Sequence, residues 1–195
     1  MDTVLILLFL GLIAAAAVVA WQGSRKRAAE RGSAAAAQPI GATGVRALKV
    51  SDVVHHEGRD YIVEGTLRFD EGGFRWDEHR LVDGSDSLWL SVEDDEGLEV
   101  VVWERLRGAQ LEPGPATLEH DGVTYELDER GKADFTSQGS TGAAGGGTAE
   151  YADYARGDQR LSFERFGRED GGWEVSVGSR ISEHALDIYP SGTTS

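Results

Sequence analysis

Several tryptophan and tyrosine residues in this sequence stand close to carboxylates. Trp76 precedes Glu78 by two residues, and Tyr151 and Tyr154 flank Asp153. An aromatic ring beside a carboxylate is a common arrangement for holding a cation or a sugar. The pattern favours a structural interpretation, with the aromatic residues in an ordinary core and the neighbouring acids on the solvent face. The candidate binding residues are Trp76, Glu78, Trp89, Glu93, Tyr151, Tyr154 and Glu164.

A pair of glutamates offers a catalytic alternative. Glu93 ends the segment LSVE and Glu164 stands in the similar segment LSFE, so the two residues occupy corresponding places in two halves of the sequence. Paired carboxylates are what glycoside hydrolysis requires. The sequence sets neither their separation nor their pKa values, so we assign no catalytic residue. A hydrolase that uses two of Glu78, Glu93 and Glu164 in an aromatic-lined cleft is the alternative function.

No other motif predicts a cofactor or a metal site. His55 and His56 are adjacent, and neighbouring residues of a strand point to opposite faces, so they cannot readily chelate one ion together. The run GSTGAAGGG at 139–147 is not followed by Gly-Lys-Ser/Thr and predicts a long loop. Cysteine is absent, which excludes disulfides and thiolate ligands. We expect no cofactor and no metal.

Short strands would position the candidate residues. After Val45 the sequence alternates apolar and polar residues between turns such as Glu71-Gly72-Gly73, which suit hairpins that need positive φ angles. The fold class is therefore mainly β, a β-sandwich or a barrel-like domain. The predicted strands are 53–55, 60–70, 74–83, 88–93, 98–104, 116–120, 123–130, 132–138, 150–156, 159–166, 173–180 and 185–189.

Two halves of this region resemble each other. HEGRDYIVEGTLRF is echoed by HDGVTYELDERGKADF, and DSLWLSVEDD is echoed by QRLSFERF. The echo is loose, so an internal duplication and a chance similarity both remain open. A duplication would predict two packed β-meanders or a closed barrel, and a closed barrel also removes exposed strand edges.

The N-terminal part has the character of a membrane anchor. Residues 4–21, VLILLFLGLIAAAAVVAW, carry no charge and would span about 27 Å as a helix. A cleaved signal peptide is the alternative, but its positive charges would precede the apolar run, whereas here RKRAAER follows it. The positive-inside rule keeps this basic cluster in the cytoplasm. We predict a transmembrane anchor at 1–21, a basic Ala/Gly-rich linker at 22–47, a β domain at 48–190 and a disordered tail at 191–195.

The charge distribution restricts the partners of the β domain. The formal net charge of the chain is -15, and only four of its 19 basic and two of its 34 acidic side chains precede residue 46. The remainder therefore carries 15 basic and 32 acidic side chains, a net charge of about -17. Such a surface repels phosphate backbones, so nucleic acid is not an expected partner. It attracts cations and basic protein surfaces.

The order of elements over 48–190 resembles the bacterial domain of unknown function DUF4178. The resemblance rests on VSDVVHHEGRDYIVEGTLRF, RWDEHRLVD, DSLWLSVEDD, YELDERGKADF, LSFERF and EVSVGSRISEHALDIYP, taken together. A membrane anchor ahead of this domain is similar to the actinobacterial members. The resemblance implies no established activity and no agreed catalytic residues. Members are often encoded beside polyamine synthases and small membrane proteins, which implies a membrane-stress or polyamine-linked setting.

Anchor, linker and charge together predict a membrane-tethered, non-enzymatic binding or scaffold module. Its acidic β domain would lie on the cytoplasmic side of a single span in the cell membrane. There it would recruit a protein partner or a cationic small molecule. The hydrolase with paired carboxylates is the competing hypothesis.

Overall fold

The computed structural model describes residues 44–95, 97–167 and 172–192. The predicted anchor at 1–21, most of the linker at 22–47 and the end of the tail at 191–195 lie outside these ranges. Over the ranges that are described, no helix has the length and apolar character needed to cross a membrane. The helices there are two short 3-10 turns, Gly44–Ala47 and Glu183–Ala185.

Strands make up most of the described chain, as the alternating sequence pattern predicts. They belong to one compact unit, Ile40–Glu71 together with Arg75–Ser195. Within the intervening Gly72–Phe74, both glycines have positive φ angles, as predicted for the hairpin turn. The strands are β1 (Val53–His56), β2 (Arg59–Glu71), β3 (Phe74–Asp83), β4 (Asp86–Asp94), β5 (Leu98–Arg105), β6 (Thr117–His120), β7 (Val123–Gly139), β8 (Gly146–Arg156), β9 (Gln159–Phe166), β10 (Glu174–Arg180) and β11 (Asp187–Tyr189).

Eight of these strands close into a barrel. The sheet order is β11-β1-β2-β3-β4-β5-β10-β9-β8-β7-β6, and an additional β2–β7 pairing joins the two ends of the eight-strand part. The barrel consists of two four-stranded meanders, β2–β5 and β7–β10, which meet at the antiparallel β5–β10 and β2–β7 pairs. The prediction of a mainly β, barrel-like domain is therefore confirmed. The closed barrel of two similar meanders matches the arrangement that a duplication would predict.

The predicted strands 123–130 and 132–138 form one long strand, β7. The break at Gly131 that these two ranges imply is wrong, because Gly131 remains in the β7–β8 ladder opposite Tyr151. A Cβ atom at this position would lie 2.4 Å from a Glu71 carboxylate oxygen and 2.7 Å from the Tyr151 hydroxyl. Gly131 therefore provides space for two neighbouring side chains rather than a change of chain direction.

Each meander has an apolar outer face that a peripheral segment covers. On β2–β5 the first outer cluster is covered by the first 3-10 helix and β1, together with Leu186. On β7–β10 the second outer cluster is covered by Leu106, Leu111 and other residues between β5 and β7. The first outer cluster contains Val45, Leu48, Val54, Tyr61, Val63, Leu81, Leu90, Val92, Val100 and Leu186. The second contains Tyr125, Ala152, Tyr154, Leu161, Phe163 and Val175.

The two chain ends of the domain are held together by one buried side chain. The carboxylate of Asp52 accepts hydrogen bonds from the Lys49 amide and from both the amide and the hydroxyl of Ser191. Val45, in the last part of the predicted linker, is only 2% exposed. The folded unit thus includes residues on both sides of the predicted 48–190 boundaries.

A third apolar cluster lies inside the barrel and draws on both meanders. Phe69 stacks on Trp76 with 4.7 Å between ring centroids, and its ring centroid lies 5.9 Å from that of Phe135 and 6.4 Å from that of Phe166. Offset and tilted ring pairs of this kind add to the stabilisation that burial provides. This interior cluster fills part of the barrel. Polar side chains such as Ser91 and Ser162 line another part of the interior.

Candidate binding site inside the barrel

Six of the seven candidate residues face the barrel interior. Along a strand, residues two apart share a face, so Trp76 and Glu78 of β3 point the same way. Trp76 belongs to the interior cluster, which places Glu78 inside as well. The prediction that the acids beside the aromatic residues face solvent is therefore wrong for Glu78. That prediction assigned the aromatic residue and the acid to opposite faces of the strand, whereas residues two positions apart lie on the same face.

Strand register carries the remaining candidates to the same face. On β4, Glu93 lies opposite Trp76, and Trp89 belongs to the interior cluster. On β9, Glu164 lies opposite Tyr151 of β8. Tyr151 also contacts Trp76 edge-on across the interior, with 5.5 Å between ring centroids.

Tyr154 is the exception, because an odd spacing separates it from Tyr151. It lies on the outer face, fully buried in the second outer cluster. Its hydroxyl donates to the carbonyl of Pro115 and accepts from the amide of Gly114, each at 3.0 Å. Tyr154 therefore anchors the segment that covers the second meander and is not part of the interior site.

Glu78 and Glu164 meet across the barrel. They lie on β3 and β9, which are not neighbours in the sheet, yet their carboxyl groups lie within hydrogen-bonding reach of each other. The indole Nε1 of Trp76 donates to Glu78 Oε1 at 3.3 Å. The sequence led us to consider Glu93 as the partner of Glu164. The structure gives that place to Glu78, because closure of the barrel decides which strands face each other.

Asp153 adds a third carboxyl group to this site. It lies on β8 opposite Ser162 of β9 and Glu129 of β7, and Ser162 donates a hydrogen bond to it. Its Oδ1 atom is buried and has no hydrogen-bond partner within the described part of the chain. We refer to Glu78, Asp153 and Glu164 as the interior acids.

Burial raises the pKa values of all three interior acids. It raises the pKa of Glu78 to about 7, against a smaller opposing effect of the Trp76 indole N–H. Burial, followed by the nearby Glu78, raises the pKa of Glu164 well above its ordinary value, while Arg105 acts in the opposite sense. Burial and the neighbouring Glu129 and Glu164 likewise raise the pKa of Asp153. At neutral pH the group therefore holds protons instead of several adjacent negative charges.

Sequence reasoning missed several polar residues that line the same interior. Trp103 of β5 donates from Nε1 to the Ser91 hydroxyl at 2.9 Å. Its ring lies against Gly178 of β10, where an added Cβ atom would approach Trp103 Cε3 to 2.5 Å. The alternation of residues predicts that Ser91 shares a face with Trp89 and Glu93. It does not reveal that this face is the inside of a closed barrel.

The polar side chains of the interior are less completely buried than the residues of the apolar clusters. Five polar residues there are partly buried, namely Glu78, Ser91, Asp153, Ser162 and Glu164. Their surroundings nevertheless desolvate the three carboxyl groups strongly. Eight-stranded barrels have an interior that side chains fill or that holds one small ligand. Within the described ranges, no group of three or more histidine, aspartate or glutamate residues could hold a metal ion.

The fold is a small closed β-barrel, and comparison with known sequences supplies its family. Residues 49–183 match the family described as a domain of unknown function, DUF4178, and the chain belongs to that family. Uncharacterized proteins of Mycobacterium bovis and of two Mycobacterium tuberculosis strains are each 40% identical to it over 155 residues, which cover 76% of this chain and 74% of each relative. No solved structure matches the chain.

Proposed function

We propose that this protein is a non-enzymatic binding module whose barrel holds a small cationic ligand among the interior acids, close to a cell membrane. The observation that carries the proposal is the contact of Glu78 with Glu164 across the barrel. The buried, unpartnered Oδ1 of Asp153 supports it as a further acceptor facing the same interior.

Charge and aromatic rings both favour a cation as the ligand. A buried carboxylate is stable only when it is paired or protonated, so a ligand ammonium group would compensate the interior acids more directly than a neutral molecule. Trp76, Trp103 and Tyr151 line the same interior and offer ring faces and edges to an amine. The net charge of -15 would draw cations to the protein over longer distances.

Binding of a cation to these acids is coupled to proton release. Glu78 and its neighbours hold protons at neutral pH because burial raises their pKa values. A bound cation stabilises the ionised carboxylates and lowers those pKa values, so it displaces protons. The affinity for a cation is therefore expected to rise with pH through about pH 7.

The membrane setting is the second part of the proposal and rests on residues 4–21 and the basic residues that follow. We expect the domain on the cytoplasmic side, where a protein partner or a polyamine would meet it. The absence of cysteine permits a direct test with Asp2→Cys and Ser195→Cys in separate chains. In intact cells a membrane-impermeant maleimide should label only the former, whereas labelling of Ser195→Cys before lysis would contradict this topology.

Spermidine is a suitable probe for the interior site, because it is a slim, linear polycation. Titration calorimetry of the full chain in detergent should detect binding that weakens with salt and tightens between pH 6 and pH 8. Glu78→Gln together with Glu164→Gln should weaken it by at least about tenfold. The matched control is Glu112→Gln with Glu119→Gln, which removes two exposed carboxylates instead. Equal affinities in both double variants would contradict the proposal.

The hydrolase remains a second candidate because of one feature, the close approach of the carboxyl groups of Glu78 and Glu164. Two neighbouring carboxyl groups, one of them with a pKa of about 7, can act as acid and base toward a water molecule. Glycoside hydrolysis needs carboxyl groups about 5 to 9.5 Å apart, and two carboxyl groups within hydrogen-bonding reach of each other are too close for it. Turnover of chromogenic esters that is lost in the Glu78→Gln, Glu164→Gln variant and kept in the matched control would favour the hydrolase.

A further inference from the structure

A second pocket lies on the outer face of the second meander, on the other side of the barrel wall. It has a volume of about 320 Å³. It is bordered by the segment between β5 and β6 on one side and by β7 and β8 on the other. The residues that matter for its chemistry are Gly114, Leu127, Arg130, Lys132, Tyr154 and Trp173.

The floor of this outer pocket is apolar and fixed in place. Leu127 and Ala152 belong to the second outer cluster, as does the fully buried ring of Tyr154. The Tyr154 hydroxyl is already bonded to Gly114 and Pro115, so it holds the covering segment over the pocket. Trp173 forms a side wall and contacts Phe163 edge-on, with 6.5 Å between ring centroids. The floor and wall therefore suit a flat, apolar group.

The rim of the pocket carries positive charge. Arg130 and Lys132 are exposed at alternate positions of β7, so both point outward over the pocket. Arg165 of β9 stacks on the Trp173 ring, with its guanidinium carbon 4.6 Å from the ring centroid. The one carboxylate of this group, Glu150, pairs with Arg165 and lies 3.8 Å from the Lys132 ammonium.

The charge of this group is opposite to that of the whole protein. Three cations, Arg130, Lys132 and Arg165, stand beside the carboxylate of Glu150, on a chain whose formal net charge is -15. The hydrogen bond from Arg165 holds the pKa of Glu150 below its ordinary value, so Glu150 stays ionised and engaged with its cationic neighbours. Arg130 and Lys132 thus place positive charge beside an apolar floor.

We propose that the outer pocket binds a small ligand that carries a phosphate or carboxylate group on a flat apolar body. The apolar body lies against Leu127, Tyr154 and Trp173, and the anionic group lies at the rim near Arg130 and Lys132. A volume of about 320 Å³ is at the lower end for ligand pockets and suits a compact molecule. This site is distinct from the cation site, because Leu127, Arg130, Lys132 and Tyr154 face the outer side of the β7–β8 wall.

The test uses phenyl phosphate and benzoate as probes of the two anionic groups. Phenol supplies the ring alone and inorganic phosphate the charge alone. Titration calorimetry of the full chain should detect phenyl phosphate or benzoate with an affinity at least about tenfold above that of either partial probe. Failure of both complete probes to bind more tightly than phenol and phosphate would overturn the proposal.

A pair of double variants locates that binding. Arg130→Gln with Lys132→Gln should weaken the tighter probe by about tenfold or more. Arg107→Gln with Arg156→Gln removes the same charge from exposed positions that do not line the outer pocket and should leave the affinity unchanged. All four substituted residues are exposed, so unchanged melting temperatures are expected and serve as the check on folding. Equal weakening in both variants would mean that overall charge, and not this pocket, controls binding.

Discussion

The outer faces and the interior of this barrel differ in which side chains they bury. The outer faces hold fully buried apolar side chains such as Leu90 and Phe163, because peripheral segments cover them. The interior holds a cluster of aromatic rings and, beside it, the carboxyl groups of Glu78, Asp153 and Glu164. In an ordinary half-buried sheet the acids would face water and one core would hold the apolar residues.

This difference separates stability from binding. Burial of apolar surface in the outer clusters is the main stabilising contribution, at about 25 cal/mol for each Å² removed from water. The interior acids oppose folding, because their ionised forms are disfavoured there. A costly polar interior that stability does not require is the kind of region in which a ligand site is expected. The predictions that follow separate these two contributions.

Truncation of an outer cluster should have the largest effect. Leu90 is 0% exposed in the first outer cluster, so Leu90→Ala should lower the free energy of unfolding by about 3 kcal/mol and the melting temperature by about 10 °C. Its neighbour Ser91 faces the interior, and Ser91→Ala should cost about 1 kcal/mol or less through the lost bond from Trp103. Denaturant unfolding followed by tryptophan fluorescence measures both. Equal losses of unfolding free energy in Leu90→Ala and Ser91→Ala would contradict the view that the outer clusters contribute more to stability than the interior.

Neutralising an interior acid should have a smaller effect, with the opposite sign at high pH. The pKa of Glu78 is raised from 4.5 to about 7 in the folded protein. The unfolded chain therefore loses this proton first, and the stability conferred by protonated Glu78 is full below about pH 4.5 and falls as the pH rises to about 7. Glutamine does not ionise, so Glu78→Gln avoids this loss. The stability of the variant relative to the wild type should therefore rise by about 2 kcal/mol between pH 4.5 and pH 8.

Melting temperatures of the wild type and Glu78→Gln across pH 4.5 to 8 measure this difference. The exposed Glu119→Gln serves as the control and should follow the wild type at every pH. A Glu78→Gln curve that runs parallel to the wild-type curve would mean that Glu78 is already ionised in the folded protein.

Removal of an exposed ion pair should have the smallest effect. The guanidinium of Arg59 lies 2.7 Å from Asp83 and 2.8 Å from Asp86, but all three side chains are exposed by more than 40%. Solvent screens such pairs, so Arg59→Gln should leave the melting temperature unchanged within measurement error. A shift as large as that of Leu90→Ala would show that surface charges, and not the outer clusters, hold the barrel together.

The local structure of this protein could be predicted from its sequence, since strand alternation and glycine turns are local signals. The predicted strands 74–83 and 159–166 coincide with β3 and β9. Gly131 misled the prediction, because a glycine that makes room for Tyr151 has the same appearance in the sequence as a turn glycine.

The site could be predicted only in part. Alternation puts Trp76 and Glu78 on one face of β3, and Trp89 and Glu93 on one face of β4, but two features hid which face is inside. Apolar residues occur on both faces because the outer ones are covered. The contact of Glu78 with Glu164 also depends on the β5–β10 and β2–β7 pairings, which join residues far apart in the sequence. Such non-local pairing leaves no local signal.

Titration of the glutamate carboxyl carbons by NMR tests the central claim most directly. In the full chain labelled with ¹³C-glutamate, Glu78 is assigned by its absence from the Glu78→Gln spectrum. Without ligand, its carboxyl resonance should titrate near pH 7, and saturation with spermidine should move that midpoint toward the ordinary value of 4.5. A Glu78 resonance that titrates near pH 4.5 without ligand, or a midpoint near pH 7 that spermidine does not change, would contradict a proton-linked cation site inside this barrel.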